Sequence, residues 1–174
     1  MNLQPEILEN HLLRIIPLGE SDFTRLFTVA SDPLIWEQHP IKDRYEKEVF
    51  QHFFNDAVVS GSAFLIFDKT SNELIGSTRF YDYKPELSSV AIGYTFLARK
   101  YWGGNYNMSI KKLLLDYAFQ FVNSVKFHIG TTNIRSQKAI FKIGAKKINE
   151  IDLDYHDRKV LHYEYEIKKN EWNS

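Results

Sequence analysis

The stretch from Ser88 to Val122, SSVAIGYTFLARKYWGGNYNMSIKKLLLDYAFQFV, constrains the chain most, because its periodicity changes once within it. Val90, Ile92, Tyr94 and Phe96 alternate with Ala91, Gly93, Thr95 and Leu97, and this density of β-branched and aromatic residues predicts a strand. Gly93 inside it predicts a bulge or a close approach of a neighbouring element. From Ile110 the spacing turns helical. Ile110, Leu113, Leu114, Tyr117, Ala118 and Phe121 share one face, with Lys111, Lys112, Asp116 and Gln120 expected to face away.

Between strand and helix lies Trp102-Gly103-Gly104-Asn105-Tyr106-Asn107. Glycine reaches positive φ without a Cβ clash, and Asn is the next most tolerant residue. Consecutive N–H groups can then converge at the head of a helix whose dipole adds positive charge, which makes the turn a candidate pyrophosphate cradle. A strand-to-helix turn with solvated amides has the same composition, so the rest of the chain has to decide between the two.

The remaining elements follow in order. A first strand runs through Leu12, Ile15 and Ile16 and stops at Pro17, a helix covers Glu20 to Ala30, and Asp32-Pro33 opens a short turn of helix through Trp36. A loop from Glu37 to Asp43 leads to a helix over Arg44 to Ser60, then strands over Ser62 to Phe67 and Glu73 to Tyr83. Beyond the long helix come a strand over Val125 to Thr131 and a short helix opened by Asn133 and ended by Gly144. A hairpin of Lys146 to Leu153 and Val160 to Ile167, around Tyr155-His156-Asp157-Arg158, closes the order. The class is α+β with a mixed sheet, and 174 residues without a linker or repeat are expected to form one domain over 1–174.

Composition narrows the function. Lys plus Arg and Asp plus Glu balance at 22 each, so no basic footprint points to nucleic acid. The absence of Cys removes disulfides, thiolate metal sites and a thiol nucleophile, and the six His show no H-x-x-x-H spacing, so no metal is expected. No apolar run suits a signal peptide or a bilayer span, and the protein is expected to be cytoplasmic, without a membrane partner, as a monomer or homodimer. Thirteen Phe, ten Tyr and three Trp exceed what a core needs and predict an aromatic-lined cavity or groove.

No G-x-G-x-x-G opens an N-terminal βαβ unit and no G-x-x-x-x-G-K-S/T is present, which excludes the two commonest phosphate cradles. The element order does match a family. Across LLRIIPLGESDFTRLFTVASDPLIW, LIGSTRFYDY, AIGYTFLARKYWGGNYN and NIRSQKAIFKIGAKK the chain resembles the GNAT superfamily of acyl-CoA-dependent N-acyltransferases, and within it the branch of the ribosomal-protein N-terminal alanine acetyltransferases.

That resemblance implies a mostly antiparallel mixed sheet flanked by helices, whose fourth and fifth strands splay. It also implies acetyl-CoA as co-substrate and a primary amine, either a protein N-terminus or a small amine, that attacks directly in a ternary complex. By resemblance Thr95, Phe96 and Leu97 pair with the pantetheine arm, Trp102, Gly103, Gly104, Asn105, Tyr106 and Asn107 cradle the pyrophosphate, and Asn133 contacts the pantetheine region. Ala91, Ile92 and Gly93 are the candidate backbone donors to the oxyanion, and Ser136 is the candidate general acid. Trp36, Glu37, His39, Arg79 and Tyr81 are expected around the acceptor, with Arg79 suited to a carboxylate and His39 titrating near neutrality. His128 is read as structural and His156 as solvated.

The sequence departs from the family pattern in four ways. Trp102 replaces a basic or amide residue, Asn105 and Asn107 replace glycines, Ile140 stands where many relatives carry a tyrosine acid, and Ala91 stands where a glutamate is common. These changes also fit a catalytically silent module that binds CoA or a protein partner.

Overall fold

The computed structural model describes residues 1–155 and 158–172. Eight strands form one sheet: β1 (Leu8–Glu9), β2 (Leu13–Pro17), β3 (Ala63–Asp68), β4 (Leu74–Lys84), β5 (Ser89–Leu97), β6 (Ser124–Gly130), β7 (Lys146–Tyr155) and β8 (Arg158–Lys168). Their spatial order is β1-β2-β3-β4-β5-β6-β8-β7. Every neighbouring pair is antiparallel except β5 and β6, which run parallel. A parallel pair needs a crossover, and helix α3 (Tyr106–Ala118) provides it. This is the expected α+β class. The two-residue β1 was not expected, and the hairpin tip at His156 and Asp157 lies outside the described residues.

Helices α1 (Phe23–Ala30) and α2 (Lys47–Val59) lie against a core of Leu26, Phe50, Phe53, Phe54, Leu65 and Phe96. The second helix starts at Lys47 rather than at Arg44, and Arg44 itself is buried. Helix α3 and the short α4 (Ile134–Phe141) are associated with a second core of Phe80, Val90, Ile92, Leu114, Leu115 and Phe127. Asp32 caps its turn by accepting from Leu34 N at 3.1 Å, and Asn133 caps α4 by accepting from Ser136 N at 3.1 Å. Gly144 takes φ +87° just past α4, the left-handed stop predicted for it.

Two sequence expectations for α3 change. The helix begins at Tyr106 and ends at Ala118, so Phe121 is 49% exposed rather than packed. Lys111 does not face away but is buried beside Ile110, Leu114 and Leu115. It sits one turn after Asn107, on the helix face turned toward the place where β5 and β6 separate.

Candidate active site

A bulge and a short ladder make the site. Strand β5 pairs with β6 only through Ser89↔Ser124, Val90↔Val125 and Ala91↔Lys126. On its other side Ser77 opposes Phe96 while Arg79 opposes Gly93, so β5 spends one residue more than β4 between the two pairs. Tyr94 takes φ +53° within this extra turn. The bulge reverses the alternation: Ile92 and Leu97 join the core beneath α3, while Phe96 joins the core beneath α2.

Where β5 and β6 part, a cavity runs through the sheet. Asn107, Lys111, Ser136 and Ile140 line it from the helices, and Tyr81 and His128 line it from the strands. Of the three expected oxyanion donors, Ile92 and Gly93 line this opening, whereas Ala91 is held in both ladders, opposite Tyr81 and Lys126. Thr95 also faces the cavity. Phe96 does not line it, and the Leu97 carbonyl already accepts from the Trp102 indole at 2.9 Å.

Tyr81 of β4 reaches over β5 to His128 of β6, its hydroxyl 2.8 Å from Nδ1. Nε2 of His128 lies 3.4 Å from Glu164 Oε1 on β8, and the same oxygen accepts from Lys126 Nζ at 2.9 Å. Burial alone would raise the Glu164 carboxyl, but hydrogen bonds from Lys126 and His128 outweigh it and hold the group below its usual value. An anionic Glu164 accepts the Nε2 proton, which leaves the Nδ1 lone pair to accept from Tyr81. His128, read as structural from the sequence, therefore joins three strands at the cavity wall.

On the helix side, Lys111 Nζ donates to Thr95 Oγ1 at 2.7 Å. Burial lowers its pKa to about 7. One turn earlier, the Asn107 Oδ1 is buried without a partner among the described residues. Gly103 takes φ +75° with open space where a Cβ would stand, and Gly104 and Asn105 are exposed. Asn105 is the first residue flanking α3, and its side chain does not cap the helix, so no cap competes for the first-turn amides. Tyr106 donates to Asp68 Oδ1 at 2.8 Å, and the Arg135 guanidinium lies 3.8 Å over the Trp102 ring, tying the turn to α4.

The expected acceptor residues divide. Trp36 and His39 line the cavity with Tyr81. Trp36 is also core, its indole donating to Ala30 O at 2.7 Å. Glu37 points outward to Arg135 at 3.6 Å. Arg79 is corrected: it is 6% exposed, sandwiched between Phe53 and Tyr94 with its centre 4.3 Å over the Tyr94 ring, and it does not reach the cavity. His39 is corrected too. Burial first, then the nearby Arg44 cation, hold its pKa well below the ordinary histidine value, so it is a neutral ring facing Arg44 at 3.1 Å. Arg44 and Glu164 were not singled out from sequence, and His128 was read as structural, because the three come to the site from separate elements. The one sequence signal was the polar phase of KFHIG opposite YEYEI.

A family model described as an acetyltransferase (GNAT) domain matches residues 13–146. The chain belongs to the GNAT acetyltransferases. Among solved structures, it is similar to a probable GNAT-family acetyltransferase from Chromobacterium violaceum, with 17% identity over 98% of this chain and 90% of that one and a TM-score of 0.85. It is also similar to the Mycobacterium smegmatis RimJ in complex with CoA-disulfide, with 16% identity, coverage of 95% and 87%, and a TM-score of 0.71. Spermidine N-acetyltransferase from Vibrio cholerae, in complex with CoA and spermine, matches with 15% identity, coverage of 93% and 98%, and a TM-score of 0.69.

This GNAT protein is therefore an acetyl-CoA-dependent acetyltransferase, and its residues fit that co-substrate. The uncapped start of α3, the open glycines before it and the Asn107 oxygen supply donors and an acceptor that no partner among the described residues uses.

Proposed function

We propose that the protein moves an acetyl group from acetyl-CoA to a primary amine by direct attack. The observation that carries this reading is one cavity lined by α3 and α4 on one side and by the Tyr81–His128 pair on the other. Acetyl-CoA supplies the activated acyl carbon. The chain contains no cysteine to carry that acyl group, which favours attack within a ternary complex.

The amine enters from the side of Trp36, His39 and Tyr81. It gives its proton to the Tyr81 oxygen as the Tyr81 proton passes to His128 Nδ1, and Glu164 stabilises the imidazolium. Backbone N–H groups on the unpaired edge of β5 from Ile92 receive the developing negative oxygen. Holding both partners in one slot supplies the proximity that the bimolecular reaction lacks. Both a peptide N-terminus, as in the ribosomal-protein branch, and a small amine such as a polyamine are acceptors of this chemistry.

Release of free CoA thiol, measured with acetyl-CoA and a panel of N-terminal peptides, polyamines and aminosugars, tests the reading. Amine-dependent release is expected. If acetyl-CoA binds but no amine on the panel accelerates thiol release, the silent-module reading replaces this one.

A further inference from the structure

One group in the cavity has no role in that scheme. Lys111 Nζ lies 2.7 Å from Thr95 Oγ1 on β5 and 5.7 Å from the centre of the Phe127 ring on β6, so it stands in the gap between the two strands. Thr95 Oγ1 is itself shared with Thr78 Oγ1 at 2.8 Å and with Gly93 O at 3.3 Å, so among the described residues the ammonium has a neutral hydroxyl and a ring face beside it and no anion. Among the described residues no carboxylate lines the cavity. The titratable and charged groups that share it are Tyr81, Tyr94, His128, His162, His39 and Arg44.

An ammonium buried without a counter-ion is costly, and the cost is offset only when an anion arrives beside it. Acetyl transfer generates two centres of negative charge here, the carbonyl oxygen, which the β5 amides receive, and the sulfur of the departing thiolate, which they do not. Position 140, on the cavity wall, is an isoleucine, 3% exposed and without a proton to give. Ser136 lines the same cavity, but a hydroxyl that gives up its proton must at once be resupplied.

We propose that Lys111 is the acid that receives the leaving group. As the amine nitrogen forms its bond to the acyl carbon, the carbon–sulfur bond breaks and its electron pair goes to sulfur. A proton passes from Lys111 Nζ to that sulfur, giving the thiol and a neutral lysine, which regains a proton from solvent when product leaves. A group poised near pH 7 by burial is suited to give a proton and take one back in each cycle.

The inference rests on acetyl transfer but not on which amine accepts, so its test uses CoA alone. Ultraviolet difference absorbance of the thiolate, followed with pH, reads the ionisation of the CoA thiol bound to the wild type and to Lys111→Met. In the wild type the bound thiol is expected to ionise at least about one pH unit below free CoA, because the ammonium and the thiolate, titrating as a pair, each favour the charged form of the other. In Lys111→Met, which replaces a buried charge with an apolar chain of similar length, it is expected at or above the value of free CoA. A thermal melt reports whether that variant folds, and the comparison of wild-type-bound with free CoA stands without it. A bound thiol that ionises like free CoA in the wild type, or identically in both proteins, overturns the proposal. So does a wild type that fails to bind CoA at millimolar concentration. A silent amine panel with a depressed thiol pKa would instead remove the acceptor reading and leave Lys111 in place.

Discussion

Tyr81 on β4 and His128 on β6 meet across the strand that separates them, hydroxyl to Nδ1 at 2.8 Å, because the residue of β5 beneath the tyrosine ring is Gly93. A Cβ at position 93 would stand 2.8 Å from Tyr81 Cε1, closer than side-chain contacts allow. Gly93→Ala should therefore displace the ring and break its bond to His128 while leaving the α3 side intact. Overpacking of this kind costs about 1–3 kcal/mol. Titration calorimetry should show acetyl-CoA affinity unchanged, and amine turnover should fall.

Removing the hydroxyl alone isolates the proton path. Tyr81→Phe keeps the ring and its packing on Tyr94, and kcat/KM for the accepting amine should drop by about 10²-fold, within the range of general acid–base catalysis. Steady-state kinetics with acetyl-CoA saturating would check it. An unchanged kcat/KM would move the proton path away from Tyr81.

Lys111 ties stability to pH with a sign opposite to that of an ordinary salt-bridged lysine. Its pKa falls from 10.5 unfolded to about 7 folded, so the unfolded chain binds more protons between those values and stability rises as pH rises through them. Below pH 7 the full cost of the buried charge is present, on the order of 5 kcal/mol. Lys111→Met should melt several degrees above the wild type at pH 6, with the gap closing toward pH 10. Chemical denaturation at both pH values reads this directly, and a gap that widens with pH would contradict it.

Asn107 presents a buried amide oxygen without a partner among the described residues, a debt of about 1–3 kcal/mol that a bound ligand can cancel. Asn107→Ala should weaken acetyl-CoA about tenfold or more while leaving the melting temperature of the ligand-free protein the same or higher. Loss of stability without loss of affinity would make Asn107 a structural residue. Asn105→Leu should cost less, since the Asn105 side chain is exposed and caps nothing.

Most of the sheet was legible because its strands carry period-2 patterns bounded by turn residues. The hairpins on either side of β5 and the α4 cap and stop at Asn133 and Gly144 follow from local chemistry. Four things were not local. One extra residue in β5 inverts every side chain beyond Ile92, so strict alternation placed Phe96 and Leu97 on the wrong faces. Helical spacing counted from Ile110 put Lys111 in solvent, because periodicity does not report that a face turns onto a gap rather than onto bulk water. Arg79, read as a carboxylate binder, is enclosed by Phe53 and Tyr94 from elements far apart in sequence. His128 and Glu164 are register partners, so their meeting depends on β8 inserting between β6 and β7.

Beyond Ala91↔Lys126 no ladder joins β5 to β6, whereas β6 and β8 are paired from Ser124↔Lys168 to Gly130↔His162. In mechanical terms the sheet is pre-notched, with the crossover helix acting as the strap that spans the notch. A molecule wedged there is stitched to both halves, so its occupancy should slow the unfolding of the whole sheet and not merely quiet a loop. The opening that admits the substrates is also the line along which the sheet would crack first.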